Sequence, residues 1–396
     1  MDLRLSDRVN AIKPSPTIAV SMLAAELRAQ GRDVIGLGAG EPDFDTPDHI
    51  KQAAHEAISS GFTKYTAVDG TGELKAAIIE KFRRENGLEY TADQVLVSSG
   101  GKQCIFNLAQ ALINPGDEVV IPAPYWVSYP DIALLSGGVP VAVPAGTQQR
   151  YKITAEQLDA ALTDKARLLI LNSPSNPSGM AYTKAELGEL GEVLERYPNV
   201  MIATDDMYEH IMWSDEPFHN ILNACPGLYD RTIVLNGVSK AYAMTGWRIG
   251  YAAGPKVLLQ AMKKVQSQST SNPNSVAQVA AQAALAGDQS CITPMLEAFR
   301  RRHDLVVAGL NGIAGIEAHP GDGTFYAFPD VSEAIARLNS VNDDVEFGSY
   351  LIDKAGVALV PGSAFGSPGH MRLSFATSDE NLNKAIDRMG DLLGTA

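Results

Sequence analysis

The stretch Thr232-Ile-Val-Leu235, followed directly by Asn236-Gly-Val-Ser-Lys240, is the part of the sequence that decides the fold. A short apolar run rich in β-branched residues is typical of a buried strand, and such runs recur along the chain with helical patterns between them. The other predicted strands are 95–97, 118–121, 168–171, 200–203 and 248–252. Apolar strands separated by helices, such as the one predicted over 183–197, indicate an α/β fold with a mostly parallel sheet covered on both faces.

The pattern changes near residue 290, where a charged helix over 295–310 precedes strands over 323–328 and 371–375 that are interrupted by glycine and proline. These features predict a smaller α+β domain. A helix is also predicted over 17–30. We therefore expect an N-terminal arm with part of the small domain in 1–45, a large domain in 46–290 and a small C-terminal domain in 291–396.

Composition excludes several classes of protein. Among 396 residues, 46 are Asp or Glu and 32 are Lys or Arg, which gives a net charge of −14 and disfavours nucleic acid and anionic lipid as partners. The three cysteines, Cys104, Cys225 and Cys291, form no CxxC pair, so we predict neither a disulfide framework nor a metal site. No secretory or membrane-spanning pattern is visible, and a cytoplasmic location is predicted.

Ligands of open parallel sheets bind beyond the carboxyl ends of the strands, so the residues after each strand are candidate site residues. Gly100, Gly101 and Lys102 follow the first of these strands and open a helix, whose free N–H groups could face a phosphate. An ordinary glycine turn explains the same residues. The nucleotide P-loop pattern and the dinucleotide pattern are both absent.

Two further strand ends carry residues with more than one interpretation. Trp126 ends a proline-flanked turn after strand 118–121, where its ring could stack on a flat ligand or fill a seam between domains. Asn176 lies in a polar loop after strand 168–171, where its amide could bind a ligand or only shape the loop.

The last two strand ends supply charge. Asp205, Asp206 and Tyr208 follow strand 200–203, where the carboxylates could pair with a cation or cap a helix. Lys240 could be a nucleophile with a lowered pKa, although a single lysine is more often solvated surface. An anion cradle, a stacking ring, a carboxylate and an amine at one crevice are the set that pyridoxal phosphate requires.

The segment Gly237-Val-Ser-Lys240-Ala-Tyr-Ala-Met-Thr-Gly246-Trp-Arg248-Ile-Gly250 resembles the pyridoxal-phosphate attachment pattern of class I aminotransferases. The resemblance extends from Ala39-Gly-Glu-Pro-Asp-Phe to Met371-Arg-Leu-Ser-Phe-Ala-Thr-Ser, which is essentially the whole chain. Within the class, the motifs Gly-Gly-Lys and Pro-Tyr-Trp-Val-Ser-Tyr are similar to those of a bacterial aspartate aminotransferase subgroup. The resemblance implies fold type I and a homodimer with shared active sites.

By the same resemblance, Lys240 would bind the cofactor covalently and Asp205 would face its pyridinium nitrogen. Tyr208 and Asn176 would bind its phenolic oxygen, and Trp126 would stack on the ring. The other cofactor-binding residues that the resemblance implies are Gly100, Gly101, Lys102, Ser239, Arg248 and Tyr65. Of these, Gly101, Lys102 and Arg248 would surround the phosphate, and Tyr65 would reach the phosphate of the partner subunit.

Arg372 resembles the arginine that grips the substrate α-carboxylate, since its planar fork matches two oxygen atoms. Lys102 resembles the residue that reaches a distal carboxylate, and Lys13 belongs to a segment that can close over that pocket. The remaining substrate-binding residues that the resemblance implies are Gly40, Trp126 and Asn176. One departure from the family is Asp206, where glutamate is usual.

The resemblance implies ping-pong transamination between aspartate and 2-oxoglutarate, with Lys240 moving the proton from the substrate Cα. Prephenate, aromatic or kynurenine-type substrates are alternatives within the class, and a pyridoxal-phosphate β-lyase is an alternative outside it. The same fold also serves as the sensing half of some transcription regulators, but the acidic chain lacks room for a basic helix-turn-helix domain.

Overall fold

A computed structural model of the protein describes residues 3–396, and its central feature is a seven-stranded sheet. The strands of this sheet are β2 (Val95–Ser98), β3 (Glu118–Ala123), β4 (Val139–Pro144), β5 (Ala166–Asn172), β6 (Met201–Asp205), β7 (Thr232–Gly237) and β8 (Gly250–Ala253). Their order is β2-β8-β7-β6-β5-β3-β4. Strand β8 is antiparallel to both β2 and β7, and the other neighbouring strands are parallel.

The predicted α/β class and mostly parallel sheet are confirmed, with two differences in the strands. Strand β4 was missed because it is an edge strand with mixed exposure and two prolines, which gives it no continuous apolar run. The strand predicted over 248–252 was wrong at its start. Arg248 has a φ of 55°, a left-handed conformation that ends a short 3₁₀ helix at Thr245–Trp247 and cannot belong to a strand.

Smaller β-structures connect the two ends of the chain. Strand β1 (Ile35–Gly36) pairs in parallel with β10 (Val357–Ala358). A three-stranded antiparallel sheet contains β9 (Tyr326–Ala327), β11 (Val360–Pro361) and β12 (Met371–Ser374). The strand predicted over 323–328 was therefore too long. The three domain boundaries drawn from the sequence stay a prediction.

Helices surround these sheets. They are α1 (Asp7–Asn10), α2 (Pro16–Ala29), α3 (Asp48–Ser59), α4 (Gly72–Lys81), α5 (Gly101–Leu112), α6 (Ser128–Leu135), α7 (Ala155–Ala161), α8 (Lys184–Glu195), α9 (Ile221–Ala224), α10 (Lys256–Ser267), α11 (Ser275–Ala286), α12 (Thr293–Asn311), α13 (Ser332–Ala336), α14 (Asp344–Lys354) and α15 (Asp379–Leu393). The sequence signal is clearest in α8. Thr183 and Glu186 form a capping box at its start, and its leucines are buried on one face.

The central sheet is covered by apolar side chains on both faces, as the period of two in its strands requires. In β5, Leu169 and Leu171 belong to one buried cluster, whereas Leu168 and Ile170 belong to the cluster on the opposite face. Both faces of the sheet are therefore used for packing, and the polar residues at the strand ends remain available to bind a ligand. Among residues 3–396, no helix is both long and apolar enough to cross a membrane.

Candidate active site

A cavity of about 540 Å³ lies at the carboxyl ends of the central strands, where it also meets the small antiparallel sheet. The predicted residues that line it are Gly40, Gly101, Lys102, Trp126, Asn176, Asp205, Tyr208, Ser239, Lys240, Arg248 and Arg372. The fold thus brings together residues that are more than 300 positions apart in the chain. Three predicted residues, Gly100, Tyr65 and Lys13, do not line this cavity.

Lys240 lies three residues after the end of β7, partly buried in the cavity wall. Its Nζ donates a hydrogen bond of 2.5 Å to the carbonyl oxygen of Gly40. Burial lowers the pKa of Lys240 to about 8, and the nearby positive charges of Arg248 and Arg372 act in the same direction. A lysine with such a pKa has an appreciable neutral fraction near neutral pH and can attack a carbonyl carbon.

Asp205 is the last residue of β6, and neutral groups satisfy its carboxylate. Oδ2 accepts a 2.6 Å hydrogen bond from the Tyr129 hydroxyl, and Oδ1 accepts one of 3.3 Å from the backbone N–H of Met207. Burial raises the pKa of Asp205, while these two donors and the charge of Lys240 oppose that rise. A buried carboxylate that lacks a directly bonded cation is suited to receive one from a ligand.

The neighbouring carboxylate, Asp206, does not line the cavity. It accepts hydrogen bonds from the Thr204 hydroxyl and from the Asn220 side-chain amide. Burial, together with the negative charge of Glu209, raises the pKa of Asp206 to about 7. No helix begins at either aspartate, so the helix-cap interpretation is wrong for both, and only Asp205 faces the cavity.

Arg372 enters the cavity from β12 and is almost completely buried. Its Nη1 donates to the side-chain oxygen of Asn176 at 2.9 Å, and its Nη2 donates to the carbonyl oxygen of Gly38 at 2.8 Å. Within residues 3–396, its Nε has no hydrogen-bond partner. A buried guanidinium that meets only neutral acceptors retains a full positive charge, which an entering carboxylate would neutralise.

At the other end of the cavity, the helix α5 begins at Gly101 and presents the N–H groups of its first turn. Gly100 precedes it with a φ of 91°, and a Cβ on Gly100 would lie 2.4 Å from Nη2 of Arg248. Gly100 therefore contributes by letting Arg248 approach, not by lining the cavity itself. Burial lowers the pKa of Lys102, and repulsion from Arg248 lowers it further, as expected for cations that await an anion.

Trp126 and Lys102 share one wall of the cavity, with the Lys102 ammonium 5.0 Å from the centre of the indole ring. Trp126 in turn meets Tyr129 edge to face, with ring centres 5.4 Å apart. The ring of Trp126 is therefore fixed from one side and available for stacking on the cavity side.

Lys13 and Tyr65 lie elsewhere. Lys13 lies beside Asp131, whose pKa is raised by burial while a backbone hydrogen bond and the charge of Lys13 oppose the rise. Its near neighbours Ser15 and Thr17 do line the cavity. Tyr65 is 92% exposed and far more solvated than any other aromatic residue of the described chain.

The sequence interpretation missed two tyrosines that line the cavity, Tyr129 and Tyr326. Tyr129 lies three residues after Trp126, at the start of α6, and this spacing was the available signal. Tyr326 gave no signal, because it lies in the short strand β9, whose apolar pattern predicts only core packing.

A second group of charges lies next to the site. Glu85, Glu209 and His210 bring their side-chain ligand atoms within 4.8 Å of one another, a spacing that would suit a metal ion. The Lys81 ammonium forms ion pairs with both Glu85 and Glu209. The Arg84 guanidinium also pairs with Glu85, so two cations of the chain balance the two carboxylates and no metal ion is needed to neutralise them.

The model of the family "Aminotransferase class I and II" matches residues 32–389, and the chain belongs to that family. It is a pyridoxal-phosphate-dependent transaminase of fold type I, and its cavity holds the lysine, the buried aspartate and the anion-binding groups that such an enzyme requires. The family depends on pyridoxal 5'-phosphate, which is therefore the cofactor of this enzyme.

Two named relatives and two solved structures are similar to this chain over nearly its whole length. The chain is 61% identical to an aspartate/prephenate aminotransferase of Nitrosomonas europaea over 99% of this chain and 100% of that protein. It is 57% identical to one of Cereibacter sphaeroides over 97% of both chains. The structure of aspartate aminotransferase from Rhizobium meliloti matches with a TM-score of 0.96, 47% identity and full coverage of both chains. That of the Thermus thermophilus enzyme with maleate matches with a TM-score of 0.93 and 44% identity over 99% of this chain and 100% of that one.

Proposed function

We propose that the enzyme transfers the amino group of aspartate to 2-oxoglutarate by a ping-pong mechanism. Both substrates are dicarboxylates, and the cavity offers two separated cations for them. Arg372 would bind the α-carboxylate and Lys102 the distal one. The observation that carries this proposal is the buried Arg372 guanidinium, whose Nε has no partner among residues 3–396 and which meets no carboxylate there. A solved relative from Thermus thermophilus carries maleate, which is also a dicarboxylate.

The residues of the cavity fit the cofactor. Lys240 would form the covalent bond to its aldehyde carbon, and Asp205 would supply the anion opposite its pyridinium nitrogen. Gly101, Lys102 and Arg248 would bind the phosphate, with Gly100 making room for Arg248. The bound cofactor supplies an electron-accepting ring that stabilises negative charge at the substrate Cα.

The chain's own residues would then perform the proton transfers and hold the reactants. The Lys240 amine would remove the proton from the substrate Cα and return it on the cofactor side, because its lowered pKa lets it act as base and then as acid. Tyr208 and Asn176 would bind the phenolic oxygen, while Trp126 would hold the ring from one face. Asp205 would keep the ring nitrogen protonated by its negative charge.

The absorption spectrum of the purified holoenzyme tests both cofactor and half-reaction. We expect a visible band from the lysine-bound cofactor, which converts to the amine form of the cofactor when aspartate is added and returns when 2-oxoglutarate follows. A protein that shows the band but does not respond to aspartate would refute the proposed substrate. Release of pyruvate and ammonia from cystathionine would instead identify a β-lyase.

Prephenate is the second candidate substrate, because two relatives carry it in their names and it also has two carboxylates. Lys13 and Lys102 would bind the ring carboxylate. Steady-state rates with aspartate, prephenate and phenylalanine test the ranking. The variant Lys102→Gln is expected to raise KM for aspartate and prephenate about tenfold or more and to leave KM for phenylalanine nearly unchanged. An equal effect on all three would assign Lys102 to the phosphate alone.

We also propose a cytoplasmic homodimer with shared active sites. Tyr65 is 92% exposed and lies outside its own cavity, and a second cavity of about 690 Å³ opens beside Arg248 and Asn274. Tyr65 of one subunit would reach the phosphate end of the other. Mixing inactive Lys240→Ala subunits with weakened Tyr65→Ala subunits is expected to restore activity, because one site of each mixed dimer is intact. A mixture that never exceeds the sum of its parts, or a monomer in sedimentation, would refute shared sites.

A further inference from the structure

Tyr326 touches two functional groups of the cavity at once. Its hydroxyl lies 3.1 Å from the hydroxyl of Tyr208, and the face of its ring lies 4.4 Å from the guanidinium carbon of Arg372. Both distances are contact distances, for a hydrogen bond and for a cation–π interaction respectively. Tyr326 is thus the residue through which the substrate-carboxylate site and the proposed cofactor-oxygen site meet.

The position of Tyr326 is tightly defined. Its side chain is 1% exposed, and its strand β9 pairs with β12, which carries Arg372. A Cβ on Gly40 would lie only 3.1 Å from the Tyr326 hydroxyl, so the loop that accepts the Lys240 hydrogen bond closes over it. A hydroxyl enclosed in this way can reorient its proton but cannot leave its neighbours.

The two tyrosines can form a directed chain of hydrogen bonds. When Tyr208 donates its only proton to the phenolic oxygen of the cofactor, its own oxygen is left as an acceptor facing Tyr326. Tyr326 then becomes the donor in the 3.1 Å pair. A hydroxyl that accepts one hydrogen bond is polarised and donates the next one more strongly.

We propose that Tyr326 is a positioning residue with two separable roles. Its hydroxyl aims and strengthens the hydrogen bond that Tyr208 donates to the cofactor, and its ring braces the Arg372 guanidinium for the substrate carboxylate. This inference rests on the proposed role of Tyr208 and adds a residue that acts through it.

The hydroxyl has a measurable effect on the lysine-bound cofactor. A donor at the phenolic oxygen competes with the protonated lysine nitrogen for the same oxygen atom, so it lowers the pKa at which that nitrogen loses its proton. Tyr326→Phe removes the support for that donor and keeps the ring. We therefore expect the apparent pKa of the visible band to rise by about 0.5 to 1, while the Kd for maleate stays within about twofold of the wild-type value.

Further variants make the two roles distinguishable. Tyr326→Leu removes ring and hydroxyl, and is expected to raise the pKa of the band equally and also to weaken maleate binding about threefold or more. Tyr90→Phe is the matched control, because Tyr90 is a buried tyrosine outside the cavity whose hydroxyl has no partner in residues 3–396. In a Tyr208→Phe background, Tyr326→Phe should have no further effect on the band.

The experiment is a spectrophotometric pH titration of each holoenzyme, with and without maleate. A wild-type protein whose visible band is absent, or does not change when aspartate is added, would refute the proposed function itself. A wild-type protein that titrates, with a Tyr326→Phe variant of unchanged pKa, would overturn this inference alone. An additional rise on top of Tyr208→Phe would also overturn it, because Tyr326 would then act without Tyr208.

Discussion

Two charged regions lie side by side at the carboxyl end of strand β6. In one of them the buried cations have no anionic partner, and in the other they form ion pairs. On the cavity side, Arg372 and Lys240 hydrogen-bond to neutral oxygen atoms only. On the other side, Lys81 and Glu209 form a fully buried ion pair, which Asn86 and Asn236 complete with hydrogen bonds.

The pairing of the buried charges distinguishes a binding site from a structural cluster. Buried charges are costly unless they are paired, so a protein that leaves cations unpaired around a cavity is arranged for anions that arrive from outside. The Lys81–Glu209 pair needs no ligand. Glu209 directly follows Tyr208 in the chain, so adjacent residues belong to the two regions.

The largest expected effect comes from removing the amine of the cavity. Lys240→Ala should lower transamination by at least about 10⁴-fold, because both the covalent bond and the proton transfer are lost. The unfolding free energy of the apoenzyme should change little, since the ammonium is partly desolvated and has no acidic partner at hydrogen-bond distance. Activity assays and urea unfolding measure the two effects. The exposed Lys256→Ala is the control, and wild-type-like turnover of Lys240→Ala would contradict the assignment.

In the region around Lys81 and Glu209, removal of a charge should affect the stability of the protein. Glu209→Gln leaves the Lys81 ammonium without its closest anion and is expected to lower the unfolding free energy by about 3 kcal/mol. Urea unfolding of the holoenzyme measures it. The matched control is Glu80→Gln, whose pair with Arg83 is exposed and screened by solvent, so that its loss should change stability little. Equal losses in the two variants would mean that burial of the Lys81 cluster has no energetic consequence.

A smaller effect on activity should follow when the guanidinium of Arg372 is replaced by an ammonium, which keeps the positive charge. Arg372→Lys is expected to raise KM for aspartate about 10- to 100-fold, because an ammonium cannot bind two carboxylate oxygens in the same geometry. The exposed Arg167→Lys provides the control. If KM stayed unchanged while stability fell, Arg372 would belong with the paired cluster and not with the binding site.

The smallest effect is a shift on the pH axis. Only a neutral amine attacks an aldehyde, and burial together with the charges of Arg248 and Arg372 lowers the pKa of Lys240 to about 8. The rate at which apoenzyme captures the cofactor should therefore rise with pH and level off above about 8. Arg372→Met removes a repelling charge, so its midpoint should move to higher pH. A rate that still climbs near pH 10 in the wild type would show an unperturbed lysine.

Much of this site could be predicted from the sequence, because many of its residues lie at or just after the carboxyl ends of strands in the central sheet. Asp205 and Lys240 lie at the ends of apolar runs, and parallel strands place their carboxyl ends at one edge. The role of Arg372 could be predicted only from the resemblance to a family, because this residue lies inside a strand of a different sheet. Tyr326 could not be predicted, because its role depends on contacts with two residues that are distant in the chain.

The sequence by itself determined the α/β class and the order of most elements, which follow from hydrophobic periodicity, a local property of the chain. The prediction that Lys240 is the reactive lysine came from the resemblance of its segment to a family motif. Only the tertiary structure decided that Tyr326 contacts both Tyr208 and Arg372, which lysine is left without an anion and which is neutralised by Glu209. Burial and pairing depend on every neighbour that packs around a side chain, and those neighbours come from distant parts of the sequence.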